Sequence, residues 1–191
     1  MSHTPLVDAR LWRLLVVADR DLASQARAAG CVCGGTLHSA RYRRKPRGGL
    51  PVELRAEYGW RESLCCAREG CRKRMTPPSL RFLGRRVYLA AVVVLASAMT
   101  GGVTAGRAAR MRALVGVSVR TLQRWRAWWL RTFPQTAFWR SARAQLIPPV
   151  NEQRLPASLL ERFADEVVVG LEAGLRFLAP ITMRTGCTML A

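Results

Sequence analysis

Carboxylates are scarce in this 191-residue chain and missing from its middle. Twelve Asp and Glu stand against 31 Lys and Arg, a net charge of +19. Between positions 70 and 151 there are 15 basic residues and no acidic one. That stretch excludes a paired-carboxylate active site, a calcium loop and an acidic magnesium site, because each needs oxygen anions. Histidine is nearly absent too. His3 and His38 are the only two, and neither is placed to form a dyad with a cysteine, which argues against thiol catalysis. A long apolar run is also lacking. The longest, Val87 to Met99, has 13 residues, short of the roughly 20 that cross a bilayer, so it is expected to be a buried helix. The first apolar run, Leu11 to Val17, is interrupted by Arg13 and does not have the pattern of a secretory leader. The expectation is a cytoplasmic, nucleoid-associated protein with no membrane partner.

The positive charge is unevenly spread. Residues 1–69 carry a net +5 and residues 152–191 a net −1, so the surplus lies between them. A concentration of this kind attracts a polyanion, and nucleic acid is the expected partner, DNA ahead of RNA. Only two of the basic residues are Lys. The planar fork of Arg suits phosphate and guanine, although a GC-rich genome would produce the same bias.

Six cysteines sit at 31, 33, 65, 66, 71 and 187. In a chain without a leader, close clusters read as metal ligands before disulfides. Cys31-Val-Cys33-Gly-Gly is a tight turn bearing two thiols, and Cys66 and Cys71 flank a second turn containing Gly70. Two such turns suit one tetrahedral, structural zinc ion closing two hairpins, a zinc ribbon with ligands Cys31, Cys33, Cys66 and Cys71. Cys65 competes with Cys66. Neighbours in a strand face opposite sides, and Cys66, nearer the turn, is preferred. His38 is expected to be solvated and Cys187 to be an unengaged thiol. A ribbon with so few apolar side chains needs the metal to hold it together.

The expected fold class is α+β, mostly α: a small β zinc ribbon, then a helical helix-turn-helix domain and a C-terminal helix. In chain order the sequence predicts a helical arm (1–29), the ribbon with its basic loop (30–84) and a helical domain (85–132). A Pro-rich irregular connector (133–155) and a C-terminal helix with a weakly structured tail (156–191) follow. The loop between the two cysteine turns, Arg41-Tyr-Arg-Arg-Lys-Pro-Arg47, reads as a phosphate clamp through Arg43, Arg44, Lys45 and Arg47. Within the helical domain, a helix over about 104–114, the turn Val115-Gly-Val117 and a helix over about 118–132 form a helix-turn-helix pattern. Ser118 is a good N-cap. Leu122, Trp125 and Trp129 share the inner face, and Ser118, Arg120, Thr121, Gln123 and Arg124 are the expected DNA contacts at the start of the second helix.

The run Cys71-Arg-Lys-Arg-Met-Thr76-Pro-Pro-Ser79, following the cysteine pairs and preceding an apolar helix, resembles the N-terminal region of zinc-ribbon-headed insertion-sequence transposases. Those carry a similar C-R-K-x-F-[ST] run after the last ligand. Cys33-Gly-Gly-Thr-Leu-His38, Arg44-Lys-Pro-Arg-Gly48 and Pro77-Pro-Ser-Leu-Arg-Phe-Leu-Gly84 are also similar to uncharacterised bacterial proteins associated with mobile elements. The resemblance covers roughly residues 30–132 and implies a DNA-binding head. Such transposases continue into an RNase H-like domain with three acidic catalytic residues. Here the carboxylates after position 70 are Glu152, Glu161, Asp165, Glu166 and Glu172, too few residues from the end for that domain. The function expected is therefore a non-enzymatic, sequence-preferring DNA-binding protein, accessory or regulatory to a mobile genetic element. The C-terminal helix would serve a protein partner or a homodimer. The rival readings are an RNA- or ribosome-associated zinc-ribbon protein, a DNA-binding subunit that recruits a separate recombinase or nuclease, and a membrane-surface protein using the helix from Val87.

Overall fold

Asp8 starts the first helix by accepting a hydrogen bond from the Arg10 amide at 2.8 Å. In the computed structural model, which describes residues 8–83, 88–99, 106, 109, 113, 115–163 and 166–185, this helix, α1, spans Ala9–Ala28. Its apolar positions Leu11, Trp12, Leu15, Val16 and Ala18 follow helical spacing and are buried. The helix expected in this N-terminal segment is present, and its apolar face is part of the main core. The reason is the stripe itself, since a row of Leu and Trp on one face needs another apolar surface to cover it.

After α1 come strand β1 (Leu37–Arg43), the single-turn helix α2 (Arg55–Tyr58), strand β2 (Trp60–Cys66) and strand β3 (Arg74–Thr76). β1 and β2 are antiparallel, with Leu37 opposite Cys66 and Arg43 opposite Trp60. β3 pairs with β2 through Leu64 and Met75. A two-residue strand, β4 (Arg184–Thr185), adds to β3, giving the order β1-β2-β3-β4. The chain is thus α+β with helix predominating and one small antiparallel sheet. Of the weakly structured tail expected over 176–191, residues 176–182 are helical or 3-10 and Arg184–Thr185 pair with β3, while Cys187 lies outside the described residues.

Helix α3 (Ala90–Met99) is the apolar segment seen in the sequence. From Leu89 to Ala96 every residue is buried. A helix that is apolar on all sides must be surrounded, and α3 is packed by α4 (Val119–Ala127), α6 (Ala157–Leu160) and α7 (Val167–Leu178). Among the described residues no helix is long and apolar enough to cross a membrane. α4 runs on through a wide π turn, Trp128–Thr132, into a 3-10 turn, Phe133–Gln135. The expected irregular connector contains a helix, α5 (Ala137–Ala142), whose N-cap Thr136 accepts from the Trp139 amide at 3.2 Å. Its prolines misled because Pro134 occupies the start of a helical turn, where a missing N–H costs nothing. The single C-terminal helix expected over about 156–175 is two helices. Glu166 caps α7 by accepting from the Val168 and Val169 amides, and the chain folds back so that Gly174 lies against Leu160. A Cβ at Gly174 would stand 2.7 Å from the Leu160 Cδ2. The turn buries Leu159 and Leu160 together with Leu171 and Leu175.

One polar cluster runs through this apolar interior. Asp19 of α1 is 1% exposed. Its Oδ2 accepts from Arg81 Nε at 2.8 Å and from Ser79 Oγ at 2.6 Å, and its Oδ1 accepts from the Leu80 amide at 2.6 Å. Arg81 also donates to the Glu57 carbonyl at 3.0 Å and lies over the Tyr58 and Phe82 rings. The Ser79 amide donates to Thr182 Oγ1 at 2.8 Å. Removing one partner of a buried ion pair leaves the other charged and unsatisfied. Asp19→Ala is therefore expected to lower stability by about 3–5 kcal/mol in urea unfolding. Arg81→Ala should cost a similar amount and the double variant much less than the sum. Additive losses below about 1 kcal/mol each would show that this pair does not hold the fold.

Candidate metal centre and its basic surroundings

The end of α1 sets up the first cysteine turn. Gly30 and Gly34 adopt φ of +75° and +78°, a backbone region that glycine enters without strain. The Cys31 amide donates to the Gly35 carbonyl at 3.0 Å, and the Gly34 amide to the Cys31 carbonyl at 2.8 Å. The second turn leaves the end of β2. There the Cys71 amide donates to the Arg68 carbonyl at 3.1 Å and the Cys66 amide to the Lys73 carbonyl at 3.0 Å. The two turns are tied together. Ala67 N–H donates to the Thr36 carbonyl at 2.9 Å, and Arg68 Nη1 donates to the Cys33 carbonyl at 2.6 Å.

The outcome is four sulfurs, from Cys31, Cys33, Cys66 and Cys71, all within 4.8 Å of one another. Cys31 and Cys71 are 3.8 Å apart at Sγ and Cys33 and Cys66 3.5 Å. These are not disulfides, whose sulfurs lie about 2.05 Å apart. They match the roughly 3.8 Å expected between sulfurs placed tetrahedrally at about 2.3 Å from one ion. Gly35 completes the cradle: a Cβ there would stand 2.7 Å from Cys66 Sγ and 3.4 Å from Cys33 Sγ. The donor set fits a metal ion. Four soft thiolates in a tetrahedron suit zinc or iron and leave no position open.

Strand alternation decides the Cys65 question. Cys66 stands opposite Leu37, faces the small cluster with Leu64 and is fully buried. Cys65 stands opposite the exposed His38 and points away, its Sγ 3.8 Å from the carbonyls of Cys66 and Arg72. Neither Cys65 nor His38 joins the four-sulfur group. Electrostatics divide the ligands. The Gly35 amide and the neighbouring thiols hold Cys33 down to about 6, whereas burial pushes Cys66 up to about 12. At neutral pH a metal therefore displaces the Cys66 proton on binding. Arg68, Arg72 and Lys73 are exposed and lie beside Cys66 and Cys71 in sequence, and cations near thiolates favour their charged form. Arg68, which bridges the two turns, carries no distinguishing mark in the sequence.

The expected nucleic-acid contacts divide into two groups. On β1, Arg43 lies over the Trp60 ring at 4.6 Å and Arg41 at 5.3 Å, and Arg44 lies over Phe82 at 5.3 Å. Lys45 and Arg47 are exposed. The loop does not hang free. Gly48, at φ +130°, abuts α3 so closely that a Cβ would stand 2.7 Å from Val92 Cγ2. The Arg47 carbonyl accepts from the Leu89 amide at 3.1 Å, Arg47 bridges to Tyr88, and the Tyr88 ring meets Trp125 of α4 edge-on at 5.0 Å.

On α4, Ser118 caps the helix, its Oγ accepting from the Thr121 amide at 3.3 Å. Leu122, Trp125 and Trp129 are buried as the spacing predicts. Arg120, Gln123 and Arg124 are exposed at helical spacings that place them on one side. Thr121 is a correction. It is buried and its hydroxyl lies 3.0 Å from Ser118 Oγ, so it belongs to the cap and cannot reach a base. The helix expected over 104–114 lies outside the described residues except at Gly106, Ala109 and Ala113, which are helical.

Cobalt(II) titration should give the intense thiolate absorption of a tetrahedral sulfur site. Serine at 31, 33, 66 or 71 should weaken or abolish it, while Cys65→Ser should leave it intact. Because thiols must lose protons to bind, affinity should rise with pH, with proton release on binding at pH 7. A spectrum that survives Cys66→Ser but not Cys65→Ser would reverse the ligand assignment.

No family model matches this chain, and no curated protein or solved structure matches it either.

Proposed function

We propose that the protein is a sequence-preferring DNA-binding protein with one structural zinc ion, accessory or regulatory to a mobile genetic element, and not itself an enzyme. The observation that carries this reading is the fastening of the basic loop to the helix that begins at Ser118. Gly48 rests on Val92 of α3, and the Arg47 backbone bridges to Tyr88, whose ring meets Trp125, so the two cationic groups are joined through backbone bridging and ring packing. Neither group contains a carboxylate. Such a surface suits a partner with regularly spaced negative charge.

In this reading Arg43, Lys45, Arg47 and Arg120 meet phosphates, and Gln123 and Arg124 meet base edges, where Gln pairs well with adenine and Arg with guanine. The zinc takes no part in chemistry, since four thiolates leave no open position. It fixes the hairpin from which Arg43 and Arg44 project. Three of the later carboxylates are already engaged: Glu152 accepts from Trp139 Nε1 at 2.7 Å and from Arg143, Glu161 pairs with Arg154, and Glu172 pairs with Arg176. None of these is paired with another carboxylate for acid–base or metal chemistry. The mobile-element setting rests on the resemblance of the 30–132 region to transposase heads.

Binding to duplex DNA should weaken steeply with salt, with a log–log slope near about −4 if four cations each neutralise a phosphate. Arg124→Ala should lose about 1–3 kcal/mol of discrimination between sequences. Lys45→Ala should weaken all sequences alike. A flat salt dependence sinks the proposal, identical behaviour of the two variants sinks the division of roles, and preference for structured RNA over duplex DNA moves the function to RNA.

A further inference from the structure

Residues of one strand face alternate sides of the sheet, so Ser39, Arg41 and Arg43 share one side of β1. Tyr42 takes the other side, opposite the buried Arg61. Trp60 stands across from Arg43. Both guanidinium groups lie over its ring, Arg43 at 4.6 Å and Arg41 at 5.3 Å. At the other end of the same side, Arg27 of α1 donates to Ser39 Oγ at 3.4 Å. Three cations from two elements thus follow one another along β1, at its positions 39, 41 and 43. Alternate residues of a strand are about 6.6 Å apart. All three arginines are exposed, and none belongs to an ion pair among the described residues. Glu62 is across from Arg41, yet the Arg41 guanidinium lies over the indole and the two form no ion pair. Leu37 and Cys66 continue the same side, so the row starts beside the four-sulfur group and ends at the basic loop.

A guanidinium held over an indole has given up much of its side-chain freedom before any ligand arrives. It keeps its N–H donors, which can still reach an oxyanion. Evenly spaced cations along a straight strand suit evenly spaced anions better than one compact ion. We propose that Arg27, Arg41 and Arg43 form a track for the phosphate backbone of one nucleic-acid strand, with Trp60 positioning two of them. The track rests on the DNA-binding reading above and extends it. Arg43 belongs to the contacts given there, whereas Arg27, Arg41 and Trp60 add a path along α1 and β1. Phosphate contacts carry no sequence information, so the track supplies grip while α4 reads bases. Only the register of β1 against β2 and the placement of α1 bring these residues together.

The test uses the full chain loaded with zinc, a fluorescent duplex and one of its strands alone, with anisotropy read over a series of salt concentrations. Arg27→Gln and Arg41→Gln should each weaken duplex binding at least threefold and make the log–log salt slope shallower by about 1. Arg140→Gln, an exposed cation on α5, should change neither. Glu62→Gln removes the one carboxylate on this side of the β1–β2 pair and should tighten binding about twofold. Trp60→Leu should weaken binding and Trp60→Phe, which keeps a ring, should retain it, with the cobalt spectrum unchanged in both. Unaltered binding by Arg27→Gln and Arg41→Gln, beside a loss in Lys45→Ala, overturns the track and leaves DNA binding standing. If these two variants weaken binding of the single strand and the duplex is not bound, the track holds and the duplex reading falls.

Discussion

Asp19 and Arg81 have almost no access to water, and between them they join parts of the chain that lie far apart in sequence. Asp19 belongs to α1. Arg81 follows the Pro77-Pro78-Ser79 turn that leaves the sheet. Through Ser79 the same cluster reaches Thr182, near the end of the described chain. Two charges taken out of water cost more than their mutual attraction returns unless every remaining donor and acceptor is used. Here the carboxylate accepts three hydrogen bonds and the guanidinium also reaches a carbonyl and two rings. The arrangement admits only one relative placement of α1, the turn after β3 and the C-terminal segment. It therefore fixes the sheet against the helices, which apolar packing alone would do with less specificity.

The four-sulfur group closes the far end of the same sheet. Only Leu37, Leu64 and Cys66 form its buried cluster, so a metal ion would supply there the cohesion that burial does not. The sheet is thus held at one end by ligands and at the other by the large core. β1, which carries Arg41 and Arg43, is stretched between them. The basic residues gain their fixed positions from this double attachment, and Gly48 adds a third by pressing the loop onto α3.

Much of the site can be read from residue spacing. The paired cysteines, their glycines and the alternation that separates Cys65 from Cys66 are local features, so the ligand set follows from the chain itself. Ser118 as a cap and Leu122, Trp125 and Trp129 as an inner face follow from helical periodicity in the same way. Thr121 shows the limit. Its polarity and its place in the first turn match a base-contacting residue, yet the cap it shares with Ser118 turns it inward. α5 and the break between α6 and α7 were hidden for a related reason. Proline counts and apolar periodicity describe neighbours in sequence, whereas Gly174 against Leu160 is a contact made by folding back.

The sequence by itself determined the make-up of the four-cysteine group, the carboxylate-free middle and the almost wholly apolar α3, because these depend on residue type and spacing alone. Only the tertiary structure decided what the apolar face of α1 packs against, that Asp19 meets Arg81, and that Gly48 rests on Val92. Each of those is a meeting of residues separated by intervening chain. Such meetings are chosen by the burial of the whole apolar set and by the need to satisfy each buried polar group, conditions that no short stretch of sequence carries.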